Sequence, residues 1–274
     1  MTRRFVSVAL VALALVTTVT AAAERPLIAA HRGGAGLWPE NSLFAFRSAG
    51  ELGVDFFETD VHLTADGEVV VIHDPTLERT TTGRGAVRTT KLADVAGLRL
   101  KAADGSVTGE RVPRLTELFD VLAVGSSQLL LEIKVGVGRA PYPGIEQKVL
   151  SLVRAHGFRD RVLIMAFEEA TLTRVRAIDP DIRTVLLVSR GRVQSAGVPA
   201  REAVRWATAV GATTLGIEHR ALDTDVVTVA RAAGVRVAAW TVNEETDIRR
   251  MLDLGVDVII SDRPDVVRRV VGLE

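Results

Sequence analysis

Apolar residues fall along this chain in short blocks that alternate between two patterns. Compact runs rich in Val, Ile, Leu and Ala read as buried strands over residues 27–30, 55–61, 129–133, 162–167, 184–188, 214–217, 236–241 and 258–260. Between them, helix-period segments occupy 43–52, 115–123, 145–155, 170–178, 200–210, 223–233, 244–254 and 264–271. Asn41-Ser42 stands before the first of these as a cap signal. Eight strands, each followed by a helix, predict a parallel sheet, and eight units favour closure into a (β/α)₈ TIM barrel over an open sheet.

One strand-like block breaks the alternation. Residues 69–72 follow Leu63 after only Thr64-Ala65-Asp66-Gly67. A parallel crossover needs a dozen or more residues, so this must be an extra β-hairpin after strand 2. Pairing outward from the four-residue turn sets position 73 opposite position 58, which brings His73 to Glu58. From about 75 to 113 the chain is rich in Thr, Gly and charge, too long for an ordinary loop, and reads as an insertion over the barrel mouth. A second long loop follows Lys134, over 135–144.

The first residues change the picture of where the chain works. Met1-Thr2-Arg3-Arg4 precedes an apolar stretch over 5–19 and then Ala21-Ala22-Ala23. This predicts a signal peptide over 1–23, cleaved near Ala23, and an exported product, periplasmic or extracellular, over 24–274. An apolar stretch of 15 residues is short against the roughly 20 of a membrane-spanning helix; an uncleaved anchor is the alternative. There is no cysteine, so neither a disulfide nor a thiolate enters the chemistry. Lys and Arg number 34 against 34 Asp and Glu, a balance that offers nothing to a nucleic acid.

Candidate chemistry collects at strand ends, where a barrel of this type carries its active site. His31 closes strand 1, Glu58 and Asp60 lie two apart near the end of strand 2, and Glu132 and Lys134 do the same at strand 3. Residues two apart share a face, so three acids would converge at the mouth as oxygen ligands for a hard divalent cation. Two histidines beside them can exchange protons near neutral pH. Glu218 and His219 end strand 6 and are candidates for substrate contact; Phe167 and Trp240 end strands 4 and 7, where a core aromatic would look the same. His62 shares the parity of Asp60 and reads as structural, and His156 as a helix-end cation.

The runs His31-Arg32-Gly33, Pro39-Glu40-Asn41-Ser42, Glu58-Thr59-Asp60-Val61, Leu63-Thr64-Ala65-Asp66-Gly67, His73-Asp74-Pro75-Thr76-Leu77 and Glu132-Ile133-Lys134 together resemble the glycerophosphodiester phosphodiesterases. Trp240-Thr241-Val242-Asn243 and Ser261-Asp262-Arg263-Pro264 extend the resemblance over nearly the whole of 27–264. Ser42 stands where Thr is usual and Ala166 where Ser is usual. The resemblance implies one divalent cation, Ca²⁺ or Mg²⁺, on Glu58, Asp60 and Glu132, with His31 and His73 as the acid–base pair. It places Arg32 on the phosphate, Lys134 beside the phosphate or a ligand carboxylate, and Trp240 against substrate. The activity it implies is hydrolysis of a small glycerophosphodiester to glycerol 3-phosphate and an alcohol, by water or through the substrate's own 2-hydroxyl. The alternatives are a lysophospholipase D or cyclising phospholipase on the same barrel, or a non-catalytic barrel that binds lipid head groups. An acyl-chain channel would need loops richer in apolar residues than these. A non-catalytic barrel would be expected to have lost a histidine or a carboxylate, and none is lost.

Overall fold

The computed structural model describes residues 25–273; the leader expected over 1–23 lies outside them. In chain order the elements begin with β1 (Leu27–Ala30), α1 (Leu43–Leu52), β2 (Phe56–Leu63) and β3 (Val69–Val71). The insertion follows with α2 (Leu92–Ala96), β4 (Arg99–Lys101) and β5 (Val107–Arg111), and then α3 (Leu115–Val124) and β6 (Gln128–Ile133). The second half carries α4 (Ile145–Ala155), β7 (Val162–Ala166), α5 (Glu169–Ile178), β8 (Thr184–Val188), α6 (Arg190–Ala196) and α7 (Glu202–Ala209). It ends with β9 (Thr214–Glu218), α8 (Thr224–Ala232), β10 (Arg236–Trp240), α9 (Glu245–Leu254), β11 (Val258–Ser261) and α10 (Pro264–Val270). No helix among the described residues is long and apolar enough to cross a membrane.

Eight parallel strands close into a ring in the order β1, β2, β6, β7, β8, β9, β10, β11, and β11 pairs back onto β1. The period of two along each strand sorts side chains between two cores. Ala29, Phe56, Leu130, Met165, Leu187, Ala238 and Ile260 point inward and fill the barrel. Their neighbours Ile28, Phe57, Leu129, Leu131, Ile164 and Ile259 point outward into the layer beneath the helices. Inward parity carries on past the packed interior, so Glu58 and Asp60 follow Phe56, and Glu132 and Lys134 follow Leu130. The polar site is therefore the top of the same column of residues that plugs the barrel.

The hairpin is present, with its register one step away from the expected one. β3 pairs antiparallel with β2 as Val61↔Val71, His62↔Val70 and Leu63↔Val69, which sets position 73 opposite Thr59 rather than Glu58. The reason lies in the turn. Thr64 N–H bonds Glu68 O, and Gly67 takes φ +78°, so three residues make the loop and a left-handed glycine closes it. The insertion then builds a small core of its own from Val70, Ile72, Leu77, Val87, Val95, Leu100 and Val112. It reaches the rim of the mouth through Arg79, which bonds Glu40 and Asp74, and through Arg88, which lies 5.5 Å over the Tyr142 ring.

A helix not expected from the sequence, α6, stands between β8 and α7. Ser189 caps it by accepting the Arg192 N–H, and Gly197 ends it in a left-handed turn. Val193 is its one buried residue, so it carries almost no apolar periodicity to read.

Candidate active site

The loop after β1 sets the geometry of the site. Arg32 takes φ 52°, ψ 34°, a left-handed conformation rare for a non-glycine residue. Its backbone N–H donates to Glu58 Oε2 at 2.8 Å, which ties the turn to the neighbouring strand. Gly33 follows at φ +80°, where a Cβ would stand 2.9 Å from Ala45 Cβ. The absence of a side chain there lets α1 close against the loop. Ser42 accepts the Ala45 N–H and starts α1, while Asn41, also left-handed, turns inward. Asn41 Nδ2 donates to Asp60 Oδ2 at 3.0 Å, and its Oδ1 accepts from Thr59 Oγ1.

Glu58, Asp60 and Glu132 come together as expected. The register of β2 on β6 sets Asp60 beside Glu132, and one oxygen from each of the three lies within 4.8 Å of the others. All three are buried. Lys134 Nζ sits 2.9 Å from Glu132 Oε1 and 3.4 Å from Asp60 Oδ1, and Arg32 Nε lies 3.6 Å from Asp60 Oδ2. Burial, then the charge of Asp60, pushes the Glu58 carboxyl up to about 8. Burial also disfavours ionised Asp60, but Lys134, Arg32 and the other positive groups around it together outweigh burial and hold Asp60 below the ordinary carboxylate range. Glu132 is raised, chiefly by burial. Three acids crowded out of water are costly unless a cation joins them. Asp60 Oδ1 is buried without a hydrogen-bond partner, and the donor set is all oxygen, so these residues fit a hard divalent ion.

His31 and His73 line the same pocket of about 90 Å³ as Glu58, Glu132, Lys134, Phe167 and Trp240. His31 Nδ1–H donates to Asp262 Oδ1 at 2.6 Å, and its Nε2 lies 3.9 Å from Glu58 Oε2. His73 Nδ1–H donates to Asp74 Oδ1 at 2.7 Å. Each ring thus has one nitrogen fixed by an aspartate and Nε2 left for the pocket. Burial would push His31 down, but Glu58 and the hydrogen bond to Asp262 outweigh it and hold His31 above the usual histidine value. His73 lies two residues past the end of β3 and lines the pocket together with Glu58 and Glu132.

The orienting residues Asp262 and Asp74 lie in motifs visible in the sequence, but their roles were not legible there. Asn243 completes the set: its Nδ2 donates to Asp262 Oδ2 at 2.7 Å and its Oδ1 accepts the Asp262 N–H. His62 is structural, as read. Fully buried, with burial pushing it down to about 4, it donates from Nε2 to the His73 carbonyl and accepts at Nδ1 from the Tyr142 hydroxyl. Phe167 and Trp240 meet edge to face at 5.5 Å on the pocket wall. Glu218 and His219 are turned to packing. Glu218 accepts the Arg190 N–H, and His219 is held by Arg250. His156 donates from Nδ1 to Leu152 O, at the end of α4.

The profile of the glycerophosphoryl diester phosphodiesterase family matches residues 31–266. A glycerophosphodiester phosphodiesterase of Caldanaerobacter subterraneus subsp. tengcongensis is 36% identical over 244 residues, covering 89% of this chain and 96% of that one. One from Bacillus subtilis strain 168 is 31% identical over 278 residues, covering 93% and 92%. Among solved structures, an Oleispira antarctica phosphodiesterase in complex with the product sn-glycerol-3-phosphate superposes with a TM-score of 0.77 at 28% identity, over 90% of this chain and 97% of that one. Matched over most of its length by that profile and by these relatives, the chain belongs to the glycerophosphoryl diester phosphodiesterase family.

Proposed function

We propose that this protein hydrolyses glycerophosphodiesters to glycerol 3-phosphate and an alcohol, with His31 and His73 as the acid–base pair. The observation that carries this reading is the pair of aspartate-anchored imidazoles in one pocket with a buried all-oxygen triad. Glu58, Asp60 and Glu132 are the residues to hold the cation, which would supply charge stabilisation at the phosphoryl oxygens. Ca²⁺ is the first choice, with Mg²⁺ next, because an exported enzyme meets abundant Ca²⁺.

The chain's own groups account for the remaining steps. Arg32 Nε is buried with no hydrogen-bond partner, a donor available to a phosphate oxygen. Lys134 adds positive charge at the same end of the pocket. One histidine takes the proton of the attacking hydroxyl, and the other returns one to the oxygen of the departing alcohol as its P–O bond breaks. The aspartates fix both tautomers, so neither ring must reorient first. Trp240 and Phe167 offer apolar surface to the carbon skeleton of the substrate.

Purified protein should release glycerol 3-phosphate from a panel of glycerophosphodiesters, stop after exhaustive chelation and recover with Ca²⁺ or Mg²⁺. Lysophospholipids should be poorer substrates. Undiminished turnover in metal-free protein would overturn the metal assignment, and failure on every diester would overturn the function. The basic start, the apolar stretch over 5–19 and Ala21-Ala22-Ala23 support export. N-terminal sequencing should find Glu24 first in the exported protein, and an intact Met1 on membrane-bound material would favour an anchor.

A further inference from the structure

Phe167 separates the central pocket from a second cavity of about 340 Å³ at the mouth, where Arg139, Ser189, Arg192 and Ser195 join it. That volume falls within the range of small-molecule sites. The second cavity is built by the 135–144 loop and by α6, neither of which contributes to the acid triad.

Its donor chemistry is distinctive. Two guanidiniums and two hydroxyls line it, with no carboxylate among the lining residues. Arg192 is held in place: its guanidinium lies 4.4 Å over the Trp206 ring and pairs with Glu169. Its side chain is only 34% exposed. Arg139 pairs with Glu168 at 2.7 Å and is 78% exposed, a looser partner across the cavity. Each of these ion pairs engages one Nη2, which leaves further N–H groups of both guanidiniums to meet a ligand. The aromatic surface in the cavity is Phe167, which packs edge to face with Trp240 and has Lys134 Nζ 6.0 Å from its centroid.

We infer that the cavity beyond Phe167 receives the alcohol half of the diester and selects alcohols bearing hydrogen-bond-accepting oxygens over quaternary ammonium alcohols. This rests on the proposed reaction at the adjoining pocket. A polyol such as glycerol or inositol, or an alcohol carrying an acidic group, can accept from Arg192, Arg139 and the serines. A choline head has no acceptor on its trimethylammonium, meets two like charges, and finds no carboxylate among the lining residues and one aromatic, Phe167, that already carries the Lys134 ammonium.

The test compares kcat/KM for glycerophosphoinositol and glycerophosphocholine in the holoenzyme. The unaltered chain should favour the inositol diester. Arg192→Leu should lower the inositol-to-choline ratio by about 10–100-fold, the worth of a charge-assisted hydrogen bond, mainly by raising KM for the inositol diester. Arg192→Lys should restore part of the ratio. Should Arg192→Leu fail to fold without the Trp206 and Glu169 contacts, Arg139→Ala, at a largely exposed side chain, should still lower the ratio. An unchanged ratio in the folded variants would overturn the subsite. So would an equal fall for both diesters, which would put the glycerol half there. Turnover of neither diester by the unaltered chain would instead strike the reaction itself, and the subsite with it.

Discussion

Replacing His31 or His73 by Ala is expected to lower turnover by roughly 10²–10⁴-fold, the usual worth of a positioned acid or base. Both rings have Nδ1 spent on an aspartate and Nε2 left for one small pocket, so each presents one oriented proton position to it. His62 cannot substitute, since both of its nitrogens are bonded to Tyr142 and the His73 carbonyl. The double variant should lose far less than the product of the single losses, because two groups acting in one displacement are strongly non-additive. Metal affinity, read by titration calorimetry, should remain near that of the parent, since the proposed ligands of the cation are the three carboxylates. Near-normal turnover in His73→Ala would sink the paired mechanism even with the metal site intact.

The parity of strand residues made the centre of this site legible. Side chains two apart on β2 and β6 must share a face, and a parallel barrel gathers strand ends at one mouth. Glu58, Asp60, Glu132, His31 and Lys134 therefore group together on sequence alone. The same logic failed where backbone detail decides. Gly67 adopts a left-handed turn and shifts the hairpin by one residue, so the pairing sets position 73 opposite Thr59, although His73, beyond the end of β3, still lines the pocket with Glu58. Contacts that join distant positions were not legible either: Asp262 lies 231 residues from the His31 it orients, and a sequence shows the motif without the contact. Glu218 and His219 were placed at the mouth correctly by topology. Their side chains satisfy α6 and α9 instead, a choice made by local hydrogen-bond partners. The core of the insertion draws Val70 and Ile72 from the hairpin, so its own apolar residues looked too sparse to pack.

Glu58→Ala is expected to weaken binding of the cation by more than about 100-fold, beyond the roughly 10–100-fold that loss of an outer-shell partner costs. Asn41→Gly is the matched outer-shell change. It removes the Asn41 amide that holds Asp60 Oδ2, yet glycine keeps the left-handed backbone at φ 58° without strain. Metal-induced stabilisation separates the two without reference to turnover. At a cation concentration of 100 times the parent Kd, the parent gains about 2.7 kcal/mol from mass action. A tenfold loss of affinity in Asn41→Gly leaves about 1.4 kcal/mol, and a 100-fold loss in Glu58→Ala leaves about 0.4 kcal/mol. Glu58 also accepts the Arg32 N–H, so its removal loosens the turn that presents the Arg32 guanidinium proposed to meet the phosphate. Turnover should accordingly fall further than metal occupancy alone explains, and saturating cation should restore only part of it. A Glu58→Ala protein that melts with the full metal-induced shift of the parent would remove Glu58 from the cation site and leave it as a support for Arg32 alone.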